Sequence, residues 1–202
     1  MPFAPPVIGA QEIAEVVATL KSGWLSTGPR VAAFERAFAE YTGAEHAIAL
    51  SSCTAALHLS LLAARIGAGD EVVTTPLTFC ATANAIVHTG ARPVFADIDP
   101  ETFNLDASAA AAAITGRTRA VLPVHFAGRP VQARLLARGV STSVHFRALH
   151  LHPYYQERFA LRRGMFPAAE AVSDTTLSLP LSAGMTPETV ERMIEAVHES
   201  LR

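Results

Sequence analysis

A chain of 202 residues and 21.4 kDa can bury a substantial core, as one large domain or one domain with a small appendage. Half of its residues are hydrophobic and 17% are charged, which excludes a disordered chain. With 16 basic and 18 acidic residues the formal net charge is -2, which excludes a basic surface for nucleic acid. Cys53 and Cys80 stand outside any CxxC pattern and no signal-like N-terminus precedes them, so the expected localisation is cytoplasmic.

In chain order, Ile13, Val16, Val17 and Leu20 fall at helical spacing and predict a helix ending near Gly23. Val31, Phe34, Phe38 and Tyr41 repeat the pattern up to Gly43. His46 to Leu50 reads as a strand and Ala55 to Arg65 as a helix stopped by Gly67. Glu71 to Thr75 is a predicted strand, Phe79 to His88 a helix ended by Gly90, and Pro93 to Ala96 a strand. Asp106 to Ile114 is an Ala-rich helix and Ala120 to Val124 a strand. Strands alternating with helices through short loops predict an α/β fold with a mainly parallel sheet.

After Val131 the pattern changes. Gln132 to Arg138 is a short helical piece, Val140 to Phe146 a strand, Pro167 to Asp174 a helix and Thr175 to Leu179 a strand. Thr186 caps a final helix carrying Val190, Met193, Ile194 and Val197 on one face. The expected domains are therefore residues 1–131 and a small α/β module, 132–202.

The uncharged run Ala47 to Ala64 has the length of a membrane span, but Ser51-Ser52-Cys53-Thr54 and His58 interrupt it, and a strand followed by a capped helix describes it better. The same turn suits an anion. A helix N-terminus offers unpaired N–H groups and a positive dipole end, side chains no larger than Cys allow close approach, and Ser52 and Thr54 add hydroxyls. An ordinary Ser/Thr helix cap has the same residues.

Many short blocks follow one another in a recognisable order. They are Ser22-Gly23-Trp24-Leu25-Ser26-Thr27-Gly28-Pro29, Phe34-Glu35, Ser51 to Leu57, Gly69-Asp70-Glu71-Val72, Thr78-Phe79-Cys80-Ala81-Thr82 and Gly90 to Asp97. Gly139 to Phe146, Leu149 to Tyr155, Phe166 to Glu170, Leu177 to Leu181 and Met185-Thr186 complete the series. Together they resemble the DegT/DnrJ/EryC1/StrS sugar aminotransferases, pyridoxal-phosphate (PLP) enzymes of the aspartate-aminotransferase fold. The resemblance implies part of a type I PLP large domain joined to a small C-terminal domain. It implies PLP as cofactor, with Ser52, Cys53, Thr54 and Ala55 at its phosphate and Phe79 stacked on its ring. It further implies glutamate and a nucleotide-linked keto-sugar as substrates, contacted by Trp24, His145 or Arg147. The expected assembly is a homodimer, or association through an exposed surface.

The resemblance breaks after Val124-His125-Phe126-Ala127-Gly128. Family members continue into a strand whose aspartate meets the pyridine nitrogen, and then into the segment bearing the Schiff-base lysine. Neither segment is matched in this chain. Lys21 is its only lysine, and it lies in the last turn of the first predicted helix, away from the family motif. An amine must hold the aldehyde and shuttle the α-proton, and arginine stays protonated. No catalytic residue is therefore assigned, and an inactive remnant or non-catalytic partner subunit stands beside the transaminase reading. A lysine-independent dehydratase would need a histidine in the missing block, and no residue aligns with one.

His145, His150 and His152 invite a metal reading, with His150 and His152 on one face of a strand, but no Cys or carboxylate completes a ligand set at useful spacing. Asp97, Asp99 and Asp106 read as residues of a turn around Asp99-Pro100.

Overall fold

The computed structural model describes residues 6–124, 146–175 and 185–200, and two compact units divide the chain, Pro6–Cys53 and Thr54–Arg202. In the first, α1 (Ala10–Ser22) starts at Gly9, whose N–H donates to the Glu12 carboxylate at 2.7 Å. It ends on Gly23 at φ 75°, a left-handed turn that glycine adopts without steric cost. Pro29 opens α2 (Pro29–Thr42), its fixed φ suiting a first helical position, and Gly43 closes it at φ 71°. Lys21 lies in the last turn of α1 as expected.

Residues 46–50 form no strand, contrary to the sequence expectation. A short β-prone run becomes a strand only when a neighbour takes its backbone groups. Here the Ala49 N–H donates instead to Glu35 Oε1 at 2.8 Å, and Ile48 is left 80% exposed.

The chain then enters α3 (Cys53–Ala63), two residues earlier than expected. This helix ends before Gly67, because Arg65 itself turns left-handed at φ 58° and the Ile66 N–H reaches back to the Leu61 carbonyl. Next come β1 (Glu71–Thr74), α4 (Ala81–His88), β2 (Arg92–Phe95), α5 (Ala107–Ala113) and β3 (Thr118–Leu122). The three strands are parallel in the order β2-β1-β3, each returning through a helix. Every residue of central β1 is buried. Successive side chains point to opposite faces: Val72 packs with Leu61, Ala85 and Ile86 of α3 and α4, while Val73 packs with Ala110 of α5. Pro93 fits β2 because the neighbouring Arg92 and Ala96 N–H groups bond towards β1, so the missing N–H falls on the outer edge.

The segment after Phe146 departs most from expectation. Leu149–Leu151 is a 3-10 turn, and Pro153 starts α6 (Pro153–Phe159), neither of which the periodicity predicted. His150 and His152 therefore do not share a strand face. Helix α7 (Pro167–Thr175) takes in Thr175, the expected first residue of a strand. The rest of that strand, the helical piece 132–138, residues 140–145 and the expected domain boundary near Val131 lie outside the described residues. A third cluster joins these elements to the sheet, with Leu77, Ala83, Phe95, Leu149, Tyr155, Phe166, Ala169 and Val172 packed together. Phe95 meets Tyr155 and Phe166 edge-on, at 5.9 and 6.1 Å between ring centroids. Finally, the Thr189 N–H donates to Thr186 Oγ1 at 3.3 Å ahead of α8 (Pro187–Ser200), the cap read from the sequence. The side chains of Met193 and Val197 lie outside the described set.

Candidate functional site

The loop leaving β1 carries an exposed functional candidate of the sheet unit. Its residues alternate between anchoring and presenting. The Leu77 N–H donates to Thr75 Oγ1 at 3.1 Å while its side chain is fully buried. The Thr78 and Thr82 hydroxyls share a buried hydrogen bond of 2.8 Å. Between them and α4, Phe79 stands 55% exposed, its centroid 5.7 Å from that of Phe146 at an interplanar angle of 53°. A large aromatic ring held out by a rigid loop is a surface for stacking. Its place beyond the carboxyl end of the central strand is where parallel sheets hold ligands.

The N-terminus of α3 is the other candidate. Ser52 precedes the helix, Cys53 opens it, and Thr54 and Ala55 fill its first turn. Ser52, Cys53 and Thr54 are exposed, Ala55 is half-buried, and Cys53 carries a free thiol. The Cys53 and Thr54 amides face the N-terminal end of an eleven-residue helix, where the dipole is positive and an anion is favoured. Leu57 and Leu61 of the same helix pack in one cluster with Val72 of β1.

Other site candidates divide between the units. Trp24 belongs to the Pro6–Cys53 unit, where its ring lies so close to Gly28 that an added Cβ would meet Trp24 Cε3 at 3.1 Å. Arg147 is exposed beside Phe146, and its charge helps hold Asp174 below the usual carboxylate range, after the larger effect of the Arg163 hydrogen bond. His145 lies outside the described residues. Among the described residues no three His, Cys, Asp or Glu side chains gather as metal ligands, and no helix is long and apolar enough to cross a membrane.

Three polar constellations escaped the sequence reading. Glu71, at the start of β1, accepts from Thr115 Oγ1 at 2.6 Å and from Arg117 Nη2 at 2.6 Å. The Thr115 hydrogen bond is the main force holding its carboxyl below the usual range, and the Arg117 contacts add to it against the opposing effect of burial. The Tyr155 hydroxyl donates to Asn84 Oδ1 at 2.6 Å, and burial pushes that phenol up to about 12. Third, His150 is fully buried with Nε2 2.8 Å from Glu170 Oε1. The one signal for this pair was a histidine flanked by Ala148, Leu149 and Leu151, an apolar setting that demands a buried partner. Of the three aspartates, Asp99 forms the turn read from the sequence, while the other two cap helices. Asp99 accepts from the Glu101 and Thr102 N–H groups in a turn, and Asp106 caps α5 through the Ala109 N–H. Asp97 caps a distant helix, accepting from the Ala168 and Ala169 N–H groups of α7.

The model of the DegT/DnrJ/EryC1/StrS aminotransferase family matches residues 6–134 and 129–198. The chain belongs to this family. It is 60% identical over 129 residues to the spore coat polysaccharide biosynthesis protein SpsC of Bacillus subtilis, covering 64% of this chain and 33% of SpsC. It is 53% identical over 132 residues to the uncharacterized protein MJ1066 of Methanocaldococcus jannaschii, covering 65% and 34%. The chain thus spans about a third of the length of the curated relatives it matches. Spr1654 of Streptococcus pneumoniae, described as a sugar aminotransferase, matches in its PLP-form with a TM-score of 0.59 and 43% identity, over 60% of this chain and 31% of that one. Its PMP-form matches with a TM-score of 0.90 over 100% of this chain and 98% of the other; at 19% identity that likeness shows the fold alone. The α/β fold read from the sequence is therefore that of the sugar aminotransferases, a family that uses PLP.

Proposed function

We propose that this chain is a cofactor-anchoring scaffold of the nucleotide-sugar aminotransferase type that does not transfer amino groups by itself. The observation that carries the reading is the single lysine. Lys21 closes α1 and does not match the family segment that carries the Schiff-base lysine. What this chain offers PLP in the Thr54–Arg202 unit is the Thr54 N–H and hydroxyl in the first turn of α3 and the face of Phe79. PLP, when bound, acts as an electron sink for the carbon that loses its proton. Thr54 would hold the phosphate by its N–H and hydroxyl, Phe79 would stack on the ring, and no side chain here is assigned the proton transfer. The implied substrates of a whole enzyme of this kind are glutamate and a nucleotide-linked keto-sugar for cell-surface polysaccharide or antibiotic sugars. The spore-coat relative supports the polysaccharide setting. The alternative of a non-catalytic partner subunit keeps the same anchor and draws support from the exposed apolar helix faces of the Pro6–Cys53 unit.

The test combines trapping with titration. Borohydride treatment of the PLP-saturated chain, followed by peptide mapping, should give no stoichiometric covalent adduct. Weak, reversible binding of PLP should fall about tenfold in Thr54→Pro, which removes one first-turn N–H at a place where proline is tolerated in a helix. A stoichiometric adduct on Lys21, or equal affinity in both proteins, would overturn the proposal.

A further inference from the structure

The His150 imidazole is fully buried, and its ring lies edge-on to Phe166 at 4.8 Å between centroids. Nε2 meets Glu170 Oε1 at 2.8 Å, and that same carboxylate oxygen accepts the Gly164 N–H at 2.7 Å and the Phe166 N–H at 3.4 Å. A carboxylate already receiving two amide donors is an acceptor, so Nε2 carries the proton and donates. Among the described residues Nδ1 has a lone pair and no protein partner, and the neutral ring is the form this pocket holds.

The pair closes a joint between two distant parts of the chain. The Leu149 N–H, beside His150, donates to the Pro76 carbonyl at 2.8 Å, and the Ala148 N–H donates to Ser173 Oγ at 2.9 Å. Leu149 and Leu77 share one core cluster with Phe166 and Ala169. Pro76 and Leu77 belong to the loop that presents Phe79, and Phe146 touches Phe79 directly. A change at His150 therefore reaches the Phe79 loop through one turn of backbone.

We propose that the His150–Glu170 pair is an acid-released latch, holding residues 146–175 against the Phe79 loop while the imidazole is neutral and loosening both when Nδ1 gains a proton. A proton on Nδ1 creates a buried donor with no acceptor, beside an aromatic ring edge. The charges facing the ring come from three places. Glu170 on α7 and Asp97 at the end of β2 favour the cation, while Arg163, in the loop before α7 and paired with Asp174 at 2.7 Å, opposes it. Burial is the largest influence and pushes His150 below its ordinary value. A base held down in the folded state binds its proton more readily once released, so the latch weakens as pH falls below the free-histidine range. The inference does not depend on bound PLP.

Hydrogen exchange of the full chain tests it, after correction for the intrinsic pH dependence of amide exchange. Between about pH 7.5 and 5.5, opening that frees an imidazole of ordinary pKa near 6.5 becomes more favourable by up to about tenfold. The wild type should show that rise in peptides covering 146–170 and 75–82 together, and His150→Gln should show none. Should the variant not fold, the wild-type imidazole resonance of His150 decides, titrating below the free-histidine value. An equal rise in both proteins, a rise confined to 146–170, or a His150 titration at or above the free value would each overturn the latch.

Discussion

Glu71 keeps 4% of its surface exposed at the start of β1, and its charge survives there because Thr115 and Arg117 reach it from the turn before β3. The sequence shows Glu71 only as the first residue of a strand, since its partners lie 44 and 46 positions away and no periodicity marks them. Separation in sequence, by 71 and 20 positions, likewise hides Asn84 from Tyr155 and Glu170 from His150. By contrast, the Asp99 turn was legible, because a turn uses partners within three residues. Thr115→Val removes the hydroxyl that does most to lower the Glu71 carboxyl. Because Thr115 is exposed, the expected cost is modest, about 1 kcal/mol at neutral pH. The sign with pH is fixed by the direction of the shift: a lowered carboxyl contributes fully above its unfolded value and loses that contribution as pH falls through its folded one. Urea unfolding of both proteins should therefore show a difference at pH 7 that narrows below about pH 4.5. A difference that stays constant across that range would place the effect elsewhere.

Helix α7 illustrates what an element needs beyond its own residues. Pro167 fits its first turn, but no Ser, Thr, Asp or Asn immediately precedes it, and the cap comes instead from Asp97, seventy-odd positions earlier. The two Asp97 oxygens take the Ala168 and Ala169 N–H groups at 3.0 and 2.9 Å, tying α7 to the end of β2. Asp97→Ala should cost about 1 kcal/mol in unfolding free energy, while Asp97→Asn, itself a good cap, should retain most of the stability. Matching denaturation midpoints for Ala and wild type would remove Asp97 from this role. Elements whose signals are local were read well: α1 and α2 by apolar spacing and terminal glycine, α5 by its run of alanines. Helix α6 carried a readable signal in Pro153 followed by Tyr155 and Phe159 four apart, but it is only seven residues long, shorter than periodicity resolves. Residues 46–50 failed in the other direction, because β-propensity cannot say whether a pairing strand exists.

At the scale of the whole molecule, the alternation of strand and helix from Glu71 to Leu122 was enough to read the parallel sheet, since each parallel step requires a crossover. The division after Cys53 was not legible, because no change of composition marks it. That division leaves a physical problem in the Pro6–Cys53 unit. Neither α1 nor α2 buries a single residue fully, and the stripe Ile13, Val16, Leu20 that predicted α1 is exposed, as are Phe34, Phe38 and a 90% exposed Tyr41. A groove of about 550 Å3 between these helices is lined by Val16, Leu20, Leu25 and Ala33, with the Arg30–Glu15 ion pair at its rim. Helices that expose the stripe meant for a core gain little stability from packing, and short helices are marginal in water without it. Val121 adds an exposed apolar side chain on β3, which pairs on one side only among the described residues. Apolar surface of this extent lowers the free energy of association by roughly 25 cal/mol for each Å2 removed from water. Self-association is the expected consequence, with Val16→Glu and Phe38→Glu weakening it by placing charge in the apolar faces. Sedimentation velocity across a range of chain concentrations should show a rising mean mass for the wild type and a lower one for the variants. Denaturation midpoints should shift upward with concentration in the wild type, because binding to the folded form stabilises it. A monodisperse monomer whose unfolding is cooperative and independent of concentration would mean that the chain covers these faces by itself.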